Sequence, residues 1–163
     1  MKFMYDVSKY KAVIFDLDDT LITETDYLFA AYRQMGFPQL IDLYKKYGRK
    51  NLFQRVDGNI EEMLEILRTA RVRLKVNPLL KPVLELDKLF FILTDGNSKQ
   101  QMNKISQTDI SLQKCAVIFS KKPDSSARMI LDYPLRACDV VYFGNSELDE
   151  QTAKIAGIDF IRI

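Results

Sequence analysis

The chain of 163 residues contains no histidine and no tryptophan. The first absence removes several chemistries at once, because a Ser-His-Asp triad, a Cys-His nucleophile and a His-ligated zinc all need an imidazole. Cysteine is scarce as well. Cys115 and Cys138 stand far apart without metal-ligand spacing, and they read as reduced thiols of a cytoplasmic protein. No window approaches the roughly 18 apolar residues of a membrane span, so no membrane partner is expected. The N-terminus carries Asp6 and no apolar core ahead of Lys9, which does not read as a secretory signal. A one-sided charge is also missing. The 24 basic and 22 acidic residues leave a net charge of +2, scattered along the chain, which argues against a nucleic-acid partner. The tightest basic group, Arg68, Arg71, Arg73 and Lys75, alternates with apolar residues and reads as a solvated surface. What chemistry remains must run on carboxylates, Lys, Ser or Thr, with a hard oxygen-seeking cation as a possible aid.

One stretch stands out against this background. Residues 12–21 read Ala-Val-Ile-Phe-Asp-Leu-Asp-Asp-Thr-Leu. An apolar run delivers Asp16 and, two positions on, Asp18, and in an extended chain such positions project to the same side. Two carboxylates so placed are costly unless a cation, a proton or hydrogen bonds offset them. Pairs of this kind hold a metal or divide the roles of nucleophile and acid. Asp19 and Thr20 read equally well as caps of a following helix.

Short β-branched or aromatic runs at 12–15, 89–94, 116–120, 140–144 and 160–163 are continuous rather than alternating, as in strands buried on both faces of a parallel sheet. Helical patterns at 98–105, 125–131 and 149–156 separate the later runs. The alternation predicts a doubly wound α/β domain with its ligand site at the carboxyl ends of the strands. Residues 22–80 break the pattern. They carry helical signals at 25–35, 38–47 and 60–71, separated by Gly36-Phe37-Pro38, Gly48 and Asp57-Gly58-Asn59, with no strand signal. This segment is expected to be a helical insertion acting as a lid.

Three more strand ends carry the required polar residues. Thr94-Asp95-Gly96-Asn97 combines a hydroxyl with the N–H groups of a Gly-containing turn at a helix start, which suits phosphate oxygens. Ser120-Lys121-Lys122-Pro123 offers a cation to balance the Asp pair. Gly144-Asn145-Ser146-Glu147-Leu148-Asp149 puts an amide and two acids at the start of a helix. Each turn alone is unremarkable, but four of them on strands of one parallel sheet converge at one edge.

In order and spacing these segments resemble the haloacid dehalogenase-like (HAD) superfamily across nearly the whole chain. Asp16-Leu17-Asp18-Asp19-Thr20-Leu21 resembles its first motif, Thr94 its second, Lys122-Pro123 its third and Gly144 to Asp149 its fourth. The resemblance implies a five-strand Rossmann-like core at 1–21 and 81–163, with a small helical (C1-type) cap at 22–80. It implies a phosphatase in which Asp16 is the nucleophile, Asp18 the acid and base, and Thr94, Asp95, Gly96 and Lys122 the phosphate cradle. Asp at position 18 points away from dehalogenases, which lack an acid there. Mg²⁺ is the implied cofactor, held by Asp16, Asp18, Asn145 and Asp149, and the implied partner is a small phosphorylated metabolite. The pattern departs from the superfamily at one place, where Asn145 occupies the position of a metal-ligating Asp. That substitution keeps open an alternative: a weakened or non-catalytic HAD-fold binding or regulatory module.

Overall fold

The computed structural model describes residues 4–109 and 114–163, so the parts of the expected core at 1–3 and 110–113 lie outside the described residues. Contacts divide the chain into two units. The first comprises Met1–Thr23, Lys75–Gly96 and Asp109–Ile163, and the second Glu24–Leu74 and Asn97–Thr108.

The first unit is built on five parallel strands: β1 (Ala12–Phe15), β2 (Leu89–Thr94), β3 (Cys115–Phe119), β4 (Val140–Gly144) and β5 (Asp159–Arg162). Their order is β3-β2-β1-β4-β5, so β1 is central and the chain doubles back across it, the arrangement of a Rossmann-like sheet. Every residue of β1 and β4 is buried, which is why these strands read as unbroken apolar runs. Phe15 stacks on Phe143 and Phe90, at centroid distances of 5.6 and 6.1 Å. The bounds of β1, β2 and β4 coincide with those expected. β3 and β5 each begin and end one residue earlier than expected, because pairing Phe90 with Cys115 and Val141 with Asp159 extends the ladder to residues that hydrophobicity does not mark.

The expected α-helix at 125–131 is instead a 3₁₀ segment, Ser126–Asp132. Its two buried residues, Ala127 and Ile130, are three apart, and the three-residue turn of a 3₁₀ helix sets both on one side. They join a core cluster with Ile14, Phe91, Tyr142 and Ala153. The last helix (Glu147–Ala156) opens on Ser146 and closes on Gly157, whose left-handed φ of 69° glycine accepts without strain. A short turn of helix, Lys81–Leu84, precedes β2.

The second unit is helical: α1 (Glu24–Gln34), α2 (Leu40–Tyr47), α3 (Ile60–Thr69) and, after Lys81–Leu84 (α4), the helix following β2, α5 (Ser98–Ser106). The helix after β4 is thus α6. α2 starts two residues later than expected, since Leu40 and Ile41 bond back to Phe37 and Pro38 through three-residue turns. α3 ends two residues earlier, at Thr69, where Ala70 turns extended. Asn59 caps α3, its side chain accepting from the N–H of Glu62 at 3.1 Å. α5, which the expected boundaries place in the core, packs with α1 and α3. Its Asn103 donates to the Tyr27 hydroxyl and to the carbonyl of Ala70, both at 2.8 Å. The Lys104 ammonium, fully buried, lies 3.4 Å from Glu24, which also pairs with Arg49. Residues 75–80, expected in the insertion, go with the sheet.

Candidate active site

The end of β1 is tied to its neighbour where the Asp16 N–H donates to the carbonyl of Phe143 at 2.9 Å. The Asp16 carboxylate is buried at that edge. From the loop after β3, Lys122 reaches it with Nζ 2.7 Å from Oδ1, and the same ammonium lies 2.6 Å from Oδ1 of Asp149. The Lys122 side chain is only 4% exposed, so this bridge is held in low dielectric with little room for water.

The turn after β4 explains how Asp149 comes to be there. Oδ1 of Asp149 accepts from Lys122 and from the Tyr142 hydroxyl, the latter at 2.9 Å. Oδ2 accepts the N–H groups of Asn145 and Ser146, both at 3.2 Å, and the Ser146 hydroxyl at 2.9 Å. The Ser146 oxygen in turn accepts the Asp149 N–H, completing a capping box at the start of α6. Close approach of this side chain demands glycine at 144, where an added Cβ would stand 2.5 Å from Cβ of Asp149. Tyr142 was not among the residues expected at the site. The available signal was a phenol inside an otherwise apolar buried strand, since such a hydroxyl needs a partner.

Thr20 and Asn145 line the same edge. The Thr20 hydroxyl lies 3.4 Å from Oδ2 of Asp16 and 3.5 Å from Oδ1 of Asn145. Thr20 is itself anchored by Asn77, whose side-chain amide donates to the Thr20 carbonyl at 3.0 Å. Asp18 is half-buried and bridges to Ile22, and Asp19 takes a left-handed φ of 59° that Asp tolerates. Thr94 is buried at the end of β2, where its carbonyl accepts the Ser120 N–H at 3.0 Å. Asp95 accepts the Lys122 N–H at 3.3 Å, which links the second and third turns. Gly96 has a φ of 109°, a conformation other residues rarely take. Direct contacts therefore join Asp16, Lys122, Asp149, Thr20 and Asn145, while Asp18, Thr94 and Gly96 are set along the same strand ends by the parallel register. Ser120 Oγ is buried with no hydrogen-bond partner among the described residues.

Burial dominates the electrostatics of Asp16 and pushes its carboxyl up to about 7, with Lys122 pulling the other way and Asp149 adding to the rise. Burial also works to raise Asp149, but Lys122, Tyr142 and Ser146 outweigh it and hold that carboxyl below its ordinary value. Burial, followed by the charges of Asp149 and Asp16, raises Tyr142 so far that it stays a donor. The two carboxylates thus divide: Asp149 is a permanent anion, and Asp16 sits near its switching point.

No protein-family model matches the chain, and no curated protein matches it significantly. Solved structures do match. The L-2-haloacid dehalogenase of Xanthobacter autotrophicus, with chloropropionic acid covalently bound, aligns over 94% of this chain and 77% of its own at 15% identity and a TM-score of 0.69. A HAD-superfamily hydrolase of subfamily IA from Geobacter sulfurreducens aligns over 94% and 87% at 16% identity and 0.66. A Bacillus subtilis protein named a HAD-hydrolase, bound to magnesium, aligns over 93% and 86% at 16% and 0.64. The fold is that of the HAD-like hydrolases. At such identities the likeness concerns the fold, and the reaction must be argued from the residues.

Hard oxygens of the kind that suit Mg²⁺ stand at this edge on Asp16, whose Oδ2 faces the Thr20 hydroxyl, and on Asn145, whose Oδ1 faces the same hydroxyl. Asp149, also expected among the ligands, is engaged on both oxygens. Its two oxygens accept five hydrogen bonds, one of them from an ammonium, within the capping box of α6. Among the described residues no three acidic or cysteine side chains group as a metal cluster. The donor chemistry fits Mg²⁺.

Proposed function

We propose that this protein is a Mg²⁺-dependent phosphomonoesterase acting on a small phosphorylated metabolite through an aspartyl-phosphate at Asp16. One observation carries the reading: a buried Lys122 bridges Asp16 and Asp149 while leaving Oδ2 of Asp16 on the Thr20 side. A nucleophile held by one oxygen is oriented through the other. Oδ2 attacks phosphorus, the P–O bond to the leaving alkoxide breaks, and Asp18 supplies the proton that the alkoxide takes. Water then attacks the aspartyl-phosphate, Asp18 takes back a proton, and phosphate leaves with the Asp16 carboxylate restored. Thr94, Asp95 and Gly96 form the turn whose hydroxyl and N–H groups receive phosphoryl oxygens, with Lys122 balancing their charge. When bound, Mg²⁺ neutralises charge on the phosphoryl group and lowers the fraction of Asp16 that is protonated.

An acid at position 18 favours phosphoryl transfer over dehalogenation, since only the former needs a proton at the leaving oxygen. The helical unit begins at Glu24, eight residues past Asp16, and we read it as the cap that selects substrate size. The neutral side chain of Asn145 supports a second reading, a HAD-fold module that binds phosphorylated ligands without turning them over. Phosphate release from a panel of phosphomonoesters, with Mg²⁺ and with EDTA, separates the two. Turnover that requires Mg²⁺ and is lost in Asp16→Asn is the expected result. Tight ligand binding without turnover in the presence of Mg²⁺ would select the module.

A further inference from the structure

The net charge of +2 is a sum over two unlike units. The helical unit, Glu24–Leu74 with Asn97–Thr108, holds eleven basic residues against seven acidic ones, and the sheet unit thirteen against fifteen. The expectation of no nucleic-acid partner rests on the total, which conceals this division. Within the helical unit the excess gathers at one place. Lys45, Lys46, Arg49 and Lys50 fill four of six positions, a denser group than Arg68 to Lys75, and Arg55 follows with no acid between. All five residues are exposed.

Two features keep this charge uncompensated and ordered. Arg49 pairs with the buried carboxylate of Glu24, but that carboxylate also faces the buried Lys104 ammonium at 3.4 Å, so the three groups leave one positive charge in excess. Among the described residues Lys45, Lys46, Lys50 and Arg55 form no ion pair, and three of them lie over aromatic rings instead. The Arg55 guanidinium carbon is 4.0 Å and the Lys46 ammonium 5.0 Å from the centroid of Tyr47, while the Lys45 ammonium is 5.8 Å from that of Phe29. Phe29 in turn packs edge-on against Tyr44 at 5.7 Å. A ring steadies a cation without cancelling its charge, so an incoming anion meets charges already placed.

The same residues select among anionic partners. Ammoniums and guanidiniums in one short stretch suit a chain of phosphates, and each guanidinium adds a planar fork of donors. A bilayer asks for exposed apolar side chains that enter it, yet of residues 40–55 only Tyr47 is a large exposed one, while Leu40 and Leu52 are buried. An unpaired base, by contrast, can stack on the guanidinium that Tyr47 backs. We propose that residues 45–55 of the helical unit bind a single-stranded nucleic acid, with Lys45, Lys46, Arg49 and Lys50 on its phosphates and Arg55, backed by Tyr47, on an unpaired base. This surface is independent of the phosphatase reading.

Fluorescence anisotropy on the full chain tests this, with labelled oligouridylate and oligothymidylate of about twelve nucleotides. Binding of either strand supports the proposal, and the ratio of the two affinities identifies the preferred sugar. Affinity should fall about fiftyfold between roughly 50 and 200 mM salt if about four phosphates are neutralised. Lys45→Gln, Lys46→Gln, Lys50→Gln and Arg55→Gln together should abolish binding while the circular dichroism stays that of wild type. Lys50→Gln alone should weaken binding and flatten the logarithmic salt slope by about 0.7. The same loss of four charges through Arg68→Gln, Arg71→Gln, Arg73→Gln and Lys75→Gln together should weaken binding far less. No binding of either strand at about 50 mM salt, or equal losses in the two fourfold variants, overturns the proposal. Co-sedimentation with phosphatidylserine vesicles in place of oligonucleotide binding also overturns it and assigns the surface to a membrane.

Discussion

Replacing Lys122 with methionine removes the one ammonium that both buried carboxylates share, at similar side-chain volume. At pH 5 Asp16 carries a proton in both proteins, because its carboxyl titrates near 7. The loss there is that of the Lys122–Asp149 pair at 2.6 Å, and breaking a buried pair costs about 3–5 kcal/mol. The low end is expected, since Asp149 keeps Tyr142, Ser146 and two backbone donors. The pH dependence then isolates Asp16. Its folded value lies above its ordinary 3.8, so the folded protein holds the extra proton between about 4 and 7. Stability from this group is therefore greatest below pH 4 and declines as pH rises through 7. Above 7 the wild type recovers part of the charged form's free energy with the help of Lys122, about 1 kcal/mol at pH 8 and about 3 kcal/mol at pH 9 relative to a group that stays neutral. Losing an ammonium 2.7 Å away removes about 6 kcal/mol of attraction at an effective dielectric of 20, enough to keep Asp16 neutral at pH 9. The deficit of Lys122→Met should thus grow by those same amounts from pH 5 to pH 8 and pH 9. Urea unfolding in EDTA, followed by tyrosine fluorescence or circular dichroism, measures it. A deficit that stays flat from pH 5 to pH 9 would refute the assignment of Lys122 as the group that holds the Asp16 charge.

Three further outcomes are expected. Asp16→Asn should abolish phosphate release, and in EDTA its melting advantage over wild type should vanish below pH 4, appear at pH 5 and be larger at pH 8; an unchanged difference across that range would show that Asp16 is not the buried, near-neutral acid described. Gly144→Ala drives a Cβ to 2.5 Å from Asp149 and should cost about 1–3 kcal/mol in denaturant melts together with most of the activity; a stable, active variant would mean that Asp149 does not lie over this turn. Ser120→Ala removes a buried hydroxyl that has no partner among the described residues and should stabilise the protein by about 1 kcal/mol; destabilisation by a similar amount would reveal a bonded hydroxyl.

The central strands and the placement of Asp16 were legible in the sequence because they depend on local pattern. A strand buried on both faces is an unbroken apolar run, and β1, β2 and β4 begin and end where that run does. Once the strands are parallel, the polar residue after each one falls at the same edge, so Asp16, Thr94, Lys122 and Asp149 follow from order along the chain. The edges of the ladder did not follow, as Cys115 and Asp159 pair for reasons of register rather than hydrophobicity. Nor did the 3₁₀ geometry of Ser126–Asp132, whose pattern of apolar residues three and four apart suits either helix until its packing partners are known.

What only the tertiary structure decided is how charge is shared among residues distant in sequence. The spacing of Asp149 from Gly144 is compatible with a metal ligand or with a capping box. Five donors, from Lys122, Tyr142, Asn145 and Ser146, gather on it in three dimensions and form the capping box. Tyr142 enters the site only because β4 lies beside β1 and turns that hydroxyl toward Asp149. Likewise α5 reads locally like any helix that follows a strand, yet buried Lys104 and half-buried Asn103 find their partners, Glu24 and Tyr27, in the helices of residues 24–74. Local pattern determines where a carboxylate emerges from the fold, but its protonation and its ligands are set by desolvation and by partners brought from elsewhere in the chain, which only packing in three dimensions specifies.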